Sequence, residues 1–271
     1  MPEIYGVDAY SPPQIAEKIE AVGVKKAHLP LLQMTALGVL AGGFIGLGAL
    51  FFTVVASDAT LPFATSRVLG GVVFSLGLIL VVIAGAELFT GNNLMVMAWV
   101  QGRIPTLLLL RNLAVVYVAN LVGAAGLAVL VYWSEHWRLG DIGAAAVKIA
   151  AGKVALPFAA AFFRGVLCNL LVCLAVWLAM AGRSVTDKVL AIVFPIAAFV
   201  ACGFEHCVAN MYLIPLGMLL APAEAPIGIG GFVANLVPVT LGNLVGGAGM
   251  VGLVYYLIYG RGPSRPAQIS E

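Results

Sequence analysis

Apolar residues run along this chain in stretches much longer than an amphipathic stripe, and polar residues gather in the short gaps between them. Six runs stand out, roughly 29–56, 68–100, 104–133, 155–181, 189–221 and 227–259. A helix needs about 20 apolar residues to cross a bilayer. The pattern therefore predicts an all-α integral membrane protein with six transmembrane helices. The second and fifth runs are too long for one straight helix, and polar residues interrupt both. The interruptions are Glu87-Leu88-Phe89-Thr90-Gly91-Asn92-Asn93 and Phe204-Glu205-His206-Cys207-Val208-Ala209-Asn210. Polar groups at that depth are costly and mark a pathway or a site. Non-helical backbone there is tolerated only inside protein or beside a water-filled cavity. Helices 2 and 5 are thus predicted to break at mid-membrane, near Leu88–Asn92 and Phe204–Val208, flanking one route. Pro195, Pro215 and Pro238 fall inside runs and predict kinks.

An internal repeat orders these runs. Asn112–Trp133 reads NLAVVYVANLVGAAGLAVLVYW and Asn235–Tyr256 reads NLVPVTLGNLVGGAGMVGLVYY, with 12 of 22 positions identical. At a nearly equal offset, Glu87 and Asn92 match Glu205 and Asn210. Spans one to three (about 29–133) therefore repeat as spans four to six (about 155–259). Three is odd, so the copies must be inverted, a 3+3 arrangement that puts a binding site at mid-membrane between them. Glycines in spans one and six predict close helix packing.

The first 28 residues lack the apolar run of a cleavable signal peptide. Ile15, Ile19 and Val22 recur at helical spacing and predict an amphipathic helix at the membrane surface over 1–28. The channel-like unit occupies 29–260, and 261–271 reads as a tail. Lys18, Lys25, Lys26, Arg103, Arg111, Arg183, Lys188, Arg261 and Arg265 fall on the side of the termini. Arg67, Arg138, Lys148 and Lys153 fall on the other. That bias puts both termini in the cytoplasm. The longest outer loop, about 134–153, is alanine-rich. With 10% charged residues against 62% hydrophobic and a net charge of +2, nothing calls for a soluble domain or a nucleic-acid partner. Cys168, Cys173, Cys202 and Cys207 lie in apolar runs without metal-ligand spacing, so no metal or other cofactor is expected.

The candidate chemistry gathers at the interruptions. Half-helix starts present backbone N–H groups and partial positive charge to an anion. A bare anion in the apolar centre would cost tens of kcal/mol by a Born estimate, whereas a weak acid can take up a proton and cross neutral. His206 is the group there whose unperturbed pKa lies near neutrality. It is read as a proton donor or hydrogen-bond donor, against a core histidine tied to a carbonyl. Glu205, and Glu87 with it, is favoured as a structural carboxylate pairing backbone amides of the break over a second proton carrier. Thr90 is suited to bond the substrate or His206. Asn169 either faces the pathway or ties helices together, and Arg164 pairs with Glu87 or Glu205 or snorkels at a subunit interface. Lys153 either draws anions in or is a solvated loop lysine. An intramembrane enzyme is disfavoured, because His206 has no second histidine in any span and no Gly-x-Ser-x-Gly is present. A neutral-solute channel would need an arginine filter and paired Asn-Pro-Ala breaks, and the breaks here have no proline.

Three motifs together resemble the formate/nitrite transporter family: Gly85-Ala86-Glu87-Leu88-Phe89-Thr90-Gly91-Asn92, Cys168-Asn169-Leu170-Leu171-Val172-Cys173-Leu174-Ala175-Val176-Trp177, and Gly203-Phe204-Glu205-His206-Cys207-Val208-Ala209-Asn210-Met211. The resemblance runs from about Ser11 to Tyr259. It implies an aquaporin-like protomer with its own pore, a homopentamer in the bacterial inner membrane, and passage of small monovalent anions or their acids. Formate is the leading substrate, with nitrite or hydrosulfide as the alternative. It also implies roles for single residues: His206 as the central donor, Lys153 in a vestibule, and Asn169 and Asn243 lining the pore. By the same resemblance Leu78, Leu88 and Phe199 form one constriction and Phe74, Phe89 and Val172 the other.

Overall fold

The computed structural model describes residues 9–260. The predicted tail 261–271 lies outside the described residues. Helix α1 (Pro12–Ala27) leads into α2 (Leu31–Ala56) and α3 (Phe63–Phe74). The path of α3 continues through α4 (Leu76–Ile79) and a π-helical turn, Leu80–Gly85, and stops there. It resumes as α5 (Phe89–Asn92), a 3-10 turn and α6 (Val96–Val100). Next come α7 (Thr106–Trp133), α8 (Ile142–Val154), α9 (Phe158–Ala181) and α10 (Val185–Ala201). A second stop precedes α11 (Cys207–Leu220). Helix α12 (Ile229–Leu244) then runs through a π-helical stretch into α13 (Val254–Tyr259).

Five of these helical paths are long and apolar enough to cross a membrane: α2, Phe63–Gly85, α7, α9 and Ile229–Tyr259. The protein is a multi-pass, all-helical membrane protein. Two packed pairs, α2 with α7 and α9 with α12, form the frame. Main chains touch in both pairs. A Cβ on Gly123 would run into the carbonyl of Val39, and one on Gly242 into that of Phe162.

Both interruptions follow one local design. Gly85 and Gly203, 118 residues apart, turn the chain at φ 85° and 73°, a region open to glycine at little cost. Ala86–Leu88 and Phe204–His206 then run without helical structure, and new helices start at Phe89 and Cys207. The first stop therefore lies slightly N-terminal to the predicted Leu88–Asn92, because the glycine sets the turn, while the second falls within the predicted Phe204–Val208. Thr90 stands on the first turn of α5 rather than in the gap.

Two other expectations change. The alanine-rich segment predicted as a loop at 134–153 holds α8. Its Ile142, Ala146 and Ala150 recur at helical spacing and are buried, and the helix packs against α11. Helix α1 does more than rest on a surface. Ile15, Ala16 and Ile19 are buried in a cluster with Met97, Trp177 and Val251, and Glu20 is buried beside Arg103, with N–O 3.4 Å. Pro195, Pro215 and Pro238 do lie within helices α10, α11 and α12.

Candidate functional site

The two interruptions meet through Thr90 and His206. His206 is the N-cap of α11, with extended backbone dihedrals (φ −112°, ψ 116°). Its Nδ1 accepts the N–H of Ala209 at 3.1 Å, so the cap itself orients the ring. Nε2 then points at the Thr90 hydroxyl, 3.0 Å away. The Phe199 ring stacks on the imidazole at 5.9 Å between centroids. All polar positions of the ring are thus occupied, and the residue is 2% exposed. With Nδ1 accepting, a neutral imidazole carries its hydrogen on Nε2. An imidazolium would set Nδ1–H against the N–H of Ala209.

Around this contact the structure builds the same network twice. In the first copy Asn120 Oδ1 accepts the N–H of Phe89 at 2.9 Å. Its amide donates to the carbonyls of Gly38 and Glu87. In the second, Asn243 Oδ1 accepts the N–H of Cys207 at 2.9 Å and its amide donates to Gly165 and Glu205. One layer out, Asn92 donates to Glu87 and Asn112, and Asn112 donates to the Lys26 carbonyl. Asn210 correspondingly donates to Glu205 and Asn235, and Asn235 to the Lys153 carbonyl. Each glutamate is closed by a lysine: Lys26–Glu87 at 2.6 Å and Lys153–Glu205 at 2.8 Å. The copies differ at one atom. Asn92 Oδ1 accepts from Lys26, whereas Asn210 Oδ1 has no partner among the described residues.

Several expected roles shift against this geometry. Glu87 and Glu205 do not pair the amides of the breaks. Their carboxylates hold a lysine and an asparagine, while their own N–H groups bond Leu37 and Arg164 carbonyls. The helix-start N–H groups expected to face an anion are partly spent, with Phe89, Cys207 and Ala209 already donating internally. Arg164 pairs with neither glutamate, since lysines occupy both. Lys153 is no solvated loop lysine, because it lies in the last turn of α8 and is tied to Glu205. Asn243 spends both amide hydrogens on carbonyls and braces the break. Asn169 ties helices, donating to the Asn243 carbonyl at 2.7 Å and the Thr90 carbonyl at 3.3 Å. Sequence reasoning missed Lys26, Asn112, Asn120 and Asn235. The signal for the asparagines was present, as they fall at identical positions of the repeat.

The apolar residues expected at the constrictions are all buried: Leu78, Leu88 and Phe199, and Phe74, Phe89 and Val172. Phe74 and Phe199, assigned to opposite constrictions, pack edge to face with centroids 5.5 Å apart. Phe89 packs on Tyr117 at 4.8 Å. Leu78 and Leu88 help close a cavity of about 390 Å³ beneath α1, lined also by Lys26, Glu87, Gly91 and Asn92.

Comparison with known proteins places this arrangement. A family model described as formate/nitrite transporter matches residues 13–257. The chain is 39% identical to the formate channel FocA of Escherichia coli (strain K12), covering 93% of this chain and 95% of the relative. A solved pentameric formate channel with formate bound is 41% identical. It superposes with a TM-score of 0.79, covering 84% of this chain and 97% of the other. A solved FNT family ion channel is 32% identical, with a TM-score of 0.84 and coverage of 90% and 98%.

Proposed function

The chain belongs to the formate/nitrite transporter family, and from that premise we propose that it is a channel for small weak-acid anions whose physiological substrate is formate. The observation that carries this reading is the Thr90–His206 contact at 3.0 Å, a polar pair set between buried apolar residues at the junction of the two repeats.

Six spans follow if α10 and α11 together make the fifth crossing, with the interruptions at Ala86–Leu88 and Phe204–His206 near mid-membrane. The two Lys–Glu–Asn networks support an inverted 3+3 repeat, in an aquaporin-like protomer with its own pore. The lysine and arginine distribution puts α1 and both termini on the cytoplasmic side of the bacterial inner membrane. The related solved channel described as pentameric supports a homopentamer here as well.

The mechanism turns on where charge is tolerated. Vestibules containing Lys26 and Lys153 receive the anion at either end. Each lysine is tied to a glutamate, so each vestibule is polar while close to electrically balanced. Past Leu78, Leu88 and Phe199 on one side and Phe74, Phe89 and Val172 on the other, a bare carboxylate would lose its hydration without full replacement. Formate therefore crosses this region as formic acid, hydrogen-bonded to a neutral donor. His206 supplies that donor at Nε2 and Thr90 supplies a hydroxyl that donates or accepts. Lodged between them, a small carboxyl group takes over the hydrogen bond that they share at rest. With Nδ1 engaged by Ala209, the histidine acts as a fixed hydrogen-bond donor. A proton that moves with the substrate then comes from the vestibule water.

Purified protein in proteoliposomes separates the readings. Formate should enter quickly, nitrite and hydrosulfide at rates that rank the alternatives, and glycerol no faster than through protein-free vesicles. Glycerol uptake matching formate uptake would mean a neutral-solute pore.

A further inference from the structure

Tyr117 on α7 and Thr240 on α12 share a hydrogen bond, with their side-chain oxygens 2.9 Å apart. They stand 123 residues apart along the chain, the offset that carries Asn112 onto Asn235 and Asn120 onto Asn243. Each is therefore the other's counterpart in the repeat. A residue that touches its own counterpart lies close to the two-fold axis relating the copies. Helices α7 and α12 belong to different packed pairs, α2 with α7 and α9 with α12, so this bond joins the two halves at their centre.

Both residues also grip a half-helix. The Tyr117 ring packs edge to face on Phe89, with centroids 4.8 Å apart. Three residues on, and so on the same face of α7, Asn120 holds the Phe89 N–H. On α12 the Thr240 hydroxyl lies beside the Cys207 thiol, and three residues on Asn243 holds the Cys207 N–H. Phe89 and Cys207 are the first residues of α5 and α11. Each half-helix start is thus held by side chain and backbone from one helix, and the Tyr117–Thr240 bond couples the two holds.

The site hangs on those two starts. Thr90 follows Phe89 and His206 precedes Cys207, and their polar atoms are 3.0 Å apart. A carboxyl group enters between them only as far as the starts allow. Formate carries a hydrogen on its carboxyl carbon, where acetate carries a methyl group. The larger acid must spread the starts, and a close-packed interior passes that strain to whatever holds them. A tight pocket rejects one extra carbon by about 10- to 200-fold, and the bond between the holds supplies part of that.

We propose that Tyr117 and Thr240 are positioning residues that set the clearance between Thr90 and His206, and with it the size of carboxylic acid that the channel admits. This rests on the channel reading above.

Four substitutions test it. Tyr117→Phe keeps the ring on Phe89 and removes the hydroxyl. Thr240→Val keeps the shape and removes the other hydroxyl, and Thr240→Ser keeps that hydroxyl. As a control, Thr53→Val removes a buried hydroxyl that bonds within its own helix, to the Ala49 carbonyl. Initial uptake of labelled formate and of labelled acetate into proteoliposomes is measured for each, beside the melting temperature. Tyr117→Phe and Thr240→Val are expected to raise the acetate-to-formate ratio about threefold to tenfold, the worth of one hydrogen bond. The double variant should rise no further, since both changes remove one bond. Thr240→Ser and Thr53→Val should keep the parent ratio. If Tyr117→Phe and Thr240→Val keep the parent ratio, whatever their melting temperatures, the bond is a structural tie and the proposal alone is overturned. An equal rise in Thr53→Val would overturn it too, as a general loosening. A parent protein that passes formate no faster than protein-free vesicles would bring down the channel reading and the proposal with it.

Discussion

The hydroxyl of Thr90 lies 3.0 Å from Nε2 of His206, so the two helix interruptions are joined through their side chains. His206 reaches this position because its other ring nitrogen caps α11 by accepting the N–H of Ala209. One residue thus shapes the helix start and faces the route.

That double role can be separated by substitution. Asparagine is among the best N-cap residues, so His206→Asn should keep the fold and assembly while losing the donor at Nε2. Formate flux per folded channel is expected to fall about tenfold, the equivalent of one hydrogen bond. His206→Ala should lose the cap as well, at about 1 kcal/mol of stability. Stopped-flow uptake with thermal melting of both variants checks this. Equal melting points for the two variants would remove the capping role.

Thr90→Val keeps the side-chain shape and removes the hydroxyl, and Val208 already fills the corresponding place in the second repeat. Flux should fall about fivefold to tenfold with little change in stability. In the Thr90→Val/His206→Asn double variant the losses should not multiply, because both act through one contact. Independent, multiplying losses would show that the two residues serve different steps.

The asparagine braces make a prediction about stability. Asn243→Leu leaves the Cys207 N–H unpaired and withdraws a donor from the Gly165 and Glu205 carbonyls. An unpaired buried group costs about 1–3 kcal/mol, so a total loss of roughly 3–5 kcal/mol is expected. Asn120→Leu should cost a similar amount by the same geometry in the first repeat. Denaturation in detergent with the pentamer fraction as readout measures both.

Much of this was legible in the chain. Polar residues inside apolar runs located both interruptions, and identical residues at fixed offset exposed the repeat. Thr90 and His206 stood out because few side chains of their kind occur at that depth. The lysine pairings did not show. Lys26 and Lys153 open matching segments, Lys26-Ala27-His28-Leu29-Pro30 and Lys153-Val154-Ala155-Leu156-Pro157, but each meets its glutamate only through the fold, 61 and 52 residues along the chain. The braces at Asn112, Asn120, Asn235 and Asn243 were visible as identities, but nothing in one dimension says that an asparagine will hold a neighbouring backbone. Helix α8 was read as a loop because alanine is weakly apolar and its stripe of Ile142, Ala146 and Ala150 is faint.

The lysine pairs separate attraction from support. Lys153→Met should leave Glu205, 4% exposed, without its cation, and lower stability by about 3–5 kcal/mol. Adding Glu205→Gln should restore most of that stability while the vestibule stays without its lysine. If formate uptake in the double variant is slow at low salt and approaches the parent at high salt, Lys153 also draws anions in. A Lys153→Met protein as stable as the parent would contradict the pairing.

The central claim is that formate does not pass the apolar centre as a bare anion. The direct measurement is the number of protons that accompany each formate into proteoliposomes, read with a trapped pH dye, labelled formate and a membrane clamped at several potentials. The account predicts one proton per formate and uptake independent of potential. Uptake that follows the potential, with no acidification of the lumen, would contradict it.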